Sequence, residues 1–188
     1  MSMLDIVGLC GSLRAASLNR MALKLAAASM PPGMHMEIVE WRELPPFEAD
    51  MLAAQGMPAP VHALRERIRR ADGVVIATPE YNYSIPGMLK NAIDWISRGE
   101  DQPFSQKPVA ILSVTPGPRG GARVQYDLRR VLLYVNAMTL VKPEVFVGDA
   151  AAKFDRAGLC TDEATRRVVA GQMEAFGLWI AAVGRMNG

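Results

Sequence analysis

Ten residues, Gly11-Ser12-Leu13-Arg14-Ala15-Ala16-Ser17-Leu18-Asn19-Arg20, follow directly on an apolar run that ends at Cys10. A strand, a polar loop and a helix start, in that order, aim backbone N–H groups at one point, which is how helix N-termini hold anions. Ser12, Ser17 and Asn19 add hydroxyl and amide donors, and Arg14 adds a charge and a flat stacking surface. The stretch is equipped to capture a phosphate group, a phosphomonoester above all. Two other phosphate loops are excluded by spacing. After Gly8 and Gly11 no third glycine stands where a dinucleotide fingerprint needs it, and no Gly-Lys-Ser/Thr opens the helix. The plainer alternative is that Ser17 or Asn19 only caps the helix while the rest faces water.

A second loop, Thr78-Pro79-Glu80-Tyr81-Asn82-Tyr83-Ser84-Ile85-Pro86-Gly87, leads into Met88-Leu89-Lys90-Asn91-Ala92-Ile93-Asp94-Trp95. Pro79 and Pro86 restrict it at both ends, Pro86 in the first turn of the helix that follows. A stiff loop with exposed tyrosines suits a planar heterocycle, held by stacking while backbone N–H groups read its carbonyl edge. When a flavin ring accepts a hydride, negative charge grows near N1 and O2, and donors already in place stabilise it. Flavin mononucleotide is a flat ring that ends in a phosphomonoester, so it answers to both loops at once. The alternative is a tyrosine-rich loop that supports a subunit contact, a reading that fits Tyr83 better than the whole segment.

The elements that position these loops follow from periodicity. Five short apolar runs read as strands: Leu4–Cys10, Met36–Trp41, Gly73–Thr78, Pro108–Thr115 and Glu144–Val147. They are rich in Val and Ile and mostly unalternated, as parallel strands covered on both faces are. Helical faces lie between them: Leu18, Ala22, Leu25 and Ala26; Val61, Leu64, Ile68 and Ala71; Val124, Leu128, Val131 and Val135; Val169, Met173, Phe176, Ile180 and Val183. The last helix is expected from about Thr161, with Asp162 and Glu163 in its first turn. Alternating strands and helices give right-handed βαβ units. The expected fold is α/β: a flavodoxin-like three-layer sandwich, with a five-stranded parallel sheet of order 2-1-3-4-5 and helices on both faces. Such a sheet holds its ligand at the carboxyl ends of its strands. One linker-like stretch, Leu44 to Pro60, carries four prolines and reads as a lid, an interface arm or a surface connection.

Composition narrows the class. At 188 residues the chain suits a single domain spanning 1–188 with a real core. Net charge is +2, and the basic pairs Arg69-Arg70 and Arg166-Arg167 are too short for a nucleic-acid face. Cys10 and Cys160 are too few and too far apart for a disulfide framework or a zinc site. No stretch approaches the roughly 20 apolar residues of a membrane helix, and Met1 to Cys10 shows no basic segment or cleavage pattern. The expectation is a cytoplasmic protein with no nucleic-acid or membrane partner and no metal. His35 and His62 lie away from both loops and are expected at the surface.

With both loops in view, the chain resembles the NAD(P)H-dependent FMN reductase family, which includes chromate and quinone reductases and azoreductase-like enzymes. The resemblance rests on Gly11-Ser12-Leu13-Arg14 with Ser17 and Asn19, on Pro79-Glu80-Tyr81-Asn82, and on Lys90-Asn91-Ala92-Ile93-Asp94-Trp95. It continues from Ser113 through Thr115-Pro116-Gly117 to Gly120-Gly121-Ala122-Arg123 and Gln125-Tyr126, and so spans residues 1 to about 150. It implies that Ser12, Arg14, Ser17, Leu18 and Asn19 hold the FMN phosphate. It implies that Pro79, Glu80, Tyr81, Asn82 and Tyr83 flank the ring, and that Thr115, Pro116 and Gly117 close over the ring or ribityl side. NADPH or NADH is the implied co-substrate and a small quinone-type acceptor the second, with chromate, azo compounds and free flavin as others. Hydride transfer through flavin N5 in a ping-pong scheme needs no side-chain acid or nucleophile, so no catalytic residue is nominated.

Two rivals stand beside this reading: an FMN-binding electron carrier or regulatory module, and a nucleotide-binding enzyme that never holds flavin. The third long helix carries apolar residues on two faces, Leu89, Ile93 and Ile96 on one and Met88, Ala92 and Trp95 on the other. The second face points to a homodimer unless the Leu44–Pro60 stretch covers it. Arg123, Tyr126, Tyr83 and Glu144 are candidates for contacts that join dimers into a tetramer.

Overall fold

A computed structural model describes residues 3–187; Met1, Ser2 and Gly188 of the expected domain lie outside the described residues. β1 (Leu4–Cys10) is buried from Ile6 onward, and β3 (Gly73–Thr78) and β4 (Pro108–Val114) are buried throughout. Burial on both faces is why these strands read as apolar runs instead of alternating. All pairings are parallel, in the order β2 (Met34–Val39), β1, β3, β4, β5 (Met138–Thr139), and β6 (Val145–Val147) also pairs with β4. This is the expected flavodoxin-like order. On one face α1 (Leu18–Ala28) and α6 (Glu163–Asn187) bury Leu23, Met173 and Phe176 with Ile6, Val75 and Leu112. On the other, α3 (Ala59–Arg70), α4 (Gly87–Ile96) and α5 (Ala122–Tyr134) bury Ile68, Ile93 and Leu128 with Val7, Ile76 and Ile111.

The edges depart from expectation. β2 starts two residues before the expected Met36, because Gly33 turns the chain at φ +87° and sets Met34 beside Leu4. Trp41 is buried but lies past the strand end. The fifth strand is two short pieces. Leu140 N–H still donates to Val109 O at 2.7 Å, but the chain then leaves the ladder and rejoins at Val145. In the gap, Gln172 of α6 donates from Nε2 to Ile111 O at 2.9 Å and to Pro143 O at 3.0 Å. A side-chain amide thus replaces the missing ladder bond. α6 begins at Glu163, with Asp162 Oδ2 accepting the Thr165 N–H at 2.7 Å as its cap.

The Leu44–Pro60 stretch forms a short helix, α2 (Ala49–Gln55), and runs as a strap over α4. Pro45 O accepts hydrogen bonds from Asn91 Nδ2 and Trp95 Nε1, each at 2.8 Å, and Asn91 Oδ1 accepts the Phe47 N–H at 2.7 Å. The Phe47 ring meets Trp95 edge-on at 4.9 Å. The second apolar face of α4 is therefore covered within the chain at Ala92 and Trp95, and it offers no argument for a dimer. His35 and His62 are exposed. Among the described residues no helix is long and apolar enough to cross a membrane.

Candidate functional site

The two loops singled out by residue type, and the third matched by resemblance, leave the carboxyl ends of neighbouring strands. Cys10 pairs with Ala77 and Thr78 with Ser113, so the chain departs from β1, β3 and β4 side by side. This is the place where open α/β sheets bind ligands. Between the first two loops lies an open cleft of about 590 Å3, lined by Gly11, Leu13, Arg14, Tyr81, Pro86, Gly87 and Met88.

Gly11 sets the width of the junction. A Cβ there would lie 2.7 Å from Thr78 Oγ1 and 3.1 Å from Leu89 Cδ2, so only glycine lets β1 run this close to the second loop. In the first loop Ser12 is buried and its Oγ accepts the Arg14 N–H at 3.4 Å, while the Arg14 side chain is exposed in the cleft. Ser17 is the N-cap of α1 and accepts the Arg20 N–H at 3.4 Å. The amides of Leu18 and Asn19, in the first helical turn, have no intrahelical acceptor and lie at the positive end of the dipole. Arg42 donates to Leu13 O and holds the loop from the side. At the first turn of α1, Arg20 binds Glu40 through both guanidinium nitrogens and draws that carboxyl below its usual range.

Asn19 is placed differently from a phosphate ligand. Its side chain is buried, donating to Val114 O at 2.9 Å and accepting the Val114 N–H at 3.0 Å, so the amide ties α1 to β4. Its backbone N–H stays with the helix start.

The second loop is a tight turn. Tyr81 N–H donates to Ser84 O at 3.0 Å and Ser84 N–H to Tyr81 O at 2.9 Å, with Asn82 at φ +49° and Tyr83 at φ +69° between them. Two left-handed central residues are the mark of the type I′ hairpin turn. Asparagine tolerates that region; for tyrosine it costs on the order of 1–3 kcal/mol. Tyr81 forms a wall of the cleft, and Pro79 lies half-buried at the loop's start. The Glu80 carboxylate is bonded to α5 through the Arg123 and Val124 amides.

The third loop is built by its neighbours. Thr115 N–H donates to Val147 O at 3.0 Å and Thr115 Oγ1 to Gly117 O at 3.1 Å, leaving Pro116 and Gly117 exposed. Ser113 Oγ donates to Gly120 O at 2.6 Å and accepts from Gln125 Nε2 at 2.8 Å. Of the residues nominated from sequence, Arg14 and Tyr81 line the cleft directly, Leu18 and Asn19 open α1, and the others sit on the neighbouring loops. Gly11, Leu13, Pro86, Gly87 and Met88 line it as well, beyond the nominated residues although inside the same two motifs; Met88 is one of the residues of the expected dimer face. Tyr83 and Arg123 stack on each other within the chain at 3.9 Å. Glu144 pairs with Lys142 at 2.6 Å. Lys142 is the main reason its carboxyl lies below the usual range, with a hydrogen bond from Tyr126 adding to it.

The residues fit a flavin mononucleotide. A helix N-terminus with two serines and an arginine beside it suits a phosphate, and the Tyr81 wall of the cleft suits a flat ring. Among the described residues no group of three or more His, Cys, Asp or Glu gathers as a metal site would.

Sheet order defines a flavodoxin-like fold, with the cleft at the carboxyl ends of β1 and β3. Residues 4–152 match the model of the NADPH-dependent FMN reductase family, and the chain belongs to that family of oxidoreductases. It is 44% identical over 177 residues to an NAD(P)H-dependent FMN reductase of Pseudomonas aeruginosa, covering 94% of this chain and 95% of the relative. It is 46% identical over 182 residues to a quinone reductase of Escherichia coli K12, covering 96% and 97%. The fold superposes on FerB, a flavoenzyme NAD(P)H:(acceptor) oxidoreductase of Paracoccus denitrificans, with a TM-score of 0.86 at 34% identity, covering 95% and 98%.

Proposed function

We propose that this protein is an FMN-dependent NAD(P)H oxidoreductase whose acceptor is a quinone or another small, flat oxidant, with chromate, azo compounds and free flavin in the same class. The observation that carries it is the open cleft in which Gly11, Leu13 and Arg14 of the loop leading into α1 face the Tyr81 wall across β1 and β3. Bound FMN would supply the redox chemistry, carrying hydride equivalents from NAD(P)H to the acceptor through N5 in a ping-pong order. The chain's own work is to bind and orient. The amides at the start of α1, the hydroxyls of Ser12 and Ser17 and the charge of Arg14 hold the phosphate. The Pro79–Tyr83 backbone and the Tyr81 ring flank the isoalloxazine. Thr115, Pro116 and Gly117 close the ribityl side. An open cleft with few convergent polar groups discriminates weakly, so acceptors of similar flatness compete on near-equal terms.

Self-association as a homodimer or tetramer belongs to the proposal. Its support is the exposed Leu133 and Tyr134 at the end of α5, which light scattering tests. Action in a reducing, cytoplasmic setting is proposed from two unpaired cysteines, Cys10 and Cys160.

The test is a visible spectrum of protein loaded with FMN and freed of excess, followed by anaerobic NADPH or NADH. Retained flavin bands that bleach within seconds, and return on adding a quinone, are expected. Bands retained but unbleached by either nicotinamide mean an electron carrier or regulator. No retained flavin sinks the proposal.

A further inference from the structure

Helix α5 begins without a cap of its own. Gly121 stands at its N-cap with φ +78° and no side chain to accept, and the first turn holds no acidic residue. The missing acceptor arrives from the second loop. Glu80 Oε2 accepts the N–H groups of Arg123 at 3.1 Å and Val124 at 3.3 Å, while Oε1 accepts from the Arg123 guanidinium at 3.0 Å. The Arg123 guanidinium in turn lies 3.9 Å from the centre of the Tyr83 ring, on the residue held at φ +69°. The carboxylate is 14% exposed, whereas Tyr83 is 65% exposed. The one strained, exposed aromatic of the loop is thus fastened by a charge anchored elsewhere.

We infer that Glu80 is a positioning residue of the flavin site. Its carboxylate, seated on the N-terminus of α5 and on Arg123, sets the Tyr81–Ser84 turn against the third loop through the Arg123–Tyr83 stack. The inference rests on the FMN reading above and assigns Glu80 a different part from a direct contact with the ring. A negative charge at a helix N-terminus is favoured by the dipole, and hydrogen bonds to an ionised acceptor are about twice as strong as neutral ones. Three of them tie residues 43 and 44 positions apart. They couple the wall built by Tyr81 to the helix that follows the third loop, so that the second loop does not move independently of α5.

The test begins without flavin. Amide hydrogen exchange is measured on the wild type, Glu80→Gln, Arg123→Met and the double variant, all checked for native circular dichroism. Glu80→Gln is expected to speed exchange about tenfold at Arg123 and Val124 and also at Tyr81 and Ser84. Arg123→Met, which keeps the backbone amides of α5, is expected to speed Tyr81 and Ser84 only. Acceleration confined to α5 in Glu80→Gln makes the carboxylate a helix cap alone and overturns the inference. FMN titration by fluorescence quenching follows. Both single variants are expected to raise Kd about tenfold, and the double variant to add little to either. A weaker Kd in Glu80→Gln beside an unchanged Arg123→Met places the carboxylate on the ring itself and overturns the inference. A wild type that takes up no FMN sinks the flavin reading and this assignment with it, while the exchange data still report whether the clamp exists.

Discussion

Asn19 and Gly11 show how much of this site rests on single residues with no part in the chemistry. The Asn19 side chain presents a carbonyl and an amide to Val114 as a strand would, inside the core. Asn19→Ala leaves a buried N–H and a buried C=O without partners, so a loss of about 2–4 kcal/mol in urea unfolding is expected; a loss below about 0.5 kcal/mol would contradict the geometry. Gly11→Ala drives a methyl into Thr78 and Leu89. Overpacking of that kind costs about 1–3 kcal/mol. It also parts the first two loops, so a weaker FMN affinity is expected alongside a lower Tm. A variant with unchanged Tm and Kd would show that the junction yields freely.

At the scale of elements, α1 serves both as a packed helix and as the proposed phosphate site, and one position separates the two roles. Ser17→Ala removes the N-cap and costs about 1 kcal/mol. Ser17→Asp keeps a good cap, with a carboxylate favourably placed on the dipole, but sets a negative charge where the phosphate binds. Ser17→Asp is expected to weaken FMN binding more than Ser17→Ala does; equal FMN affinity in both variants would remove the phosphate from this helix. The strap is a second element with a direct test. Asn91 fastens it at Pro45 and Phe47. Asn91→Ala is expected to open the 45–58 stretch to limited proteolysis while the sheet stays resistant, and an unchanged cleavage pattern would assign the strap's hold to Trp95 and Phe47 alone.

For the whole molecule, pH dependence follows from carboxylates that gain partners on folding. Arg20 lowers Glu40, and Lys142 lowers Glu144; hydrogen bonding to Thr165 lowers Asp162, and to Arg166 lowers Glu163. A depressed carboxyl contributes stability that is fully present above its unfolded pKa and is lost as pH falls through the folded one. Stability is therefore expected to be level from neutral pH down to about 5 and to decline below about 4.5. Glu40 and Glu163 are largely exposed, so their contributions are small, whereas Glu144 is more enclosed beside Lys142. The combined variant Glu40→Gln with Glu144→Gln should flatten the decline in a Tm-against-pH series. A Tm that stays level to pH 3 in the wild type would show that the pairs add nothing.

Local chemistry and hydrophobic period, both properties of short stretches, made the central strands, the major helices, the sheet order and the two site loops legible without coordinates. β1, β3 and β4 are apolar throughout because both faces are covered, and that is visible one residue at a time. The first loop and the tyrosine turn follow their strands directly, so sequence order placed them at one end of the sheet. Tertiary structure decided what depends on residues far apart in the chain. Asn19 has the donors of a phosphate ligand, yet Val114, 95 positions away, takes its side chain. Glu80 sits in the motif whose residue types suit ring binding, yet α5 takes its carboxylate. The second face of α4 looked like an interface until Pro45 and Phe47 covered it. At the far edge, split into β5 and β6, a glutamine from α6 supplies hydrogen bonds in the gap. In each case a polar or aromatic side chain had several ways to be satisfied, and only the packed fold determined which partner lay within reach.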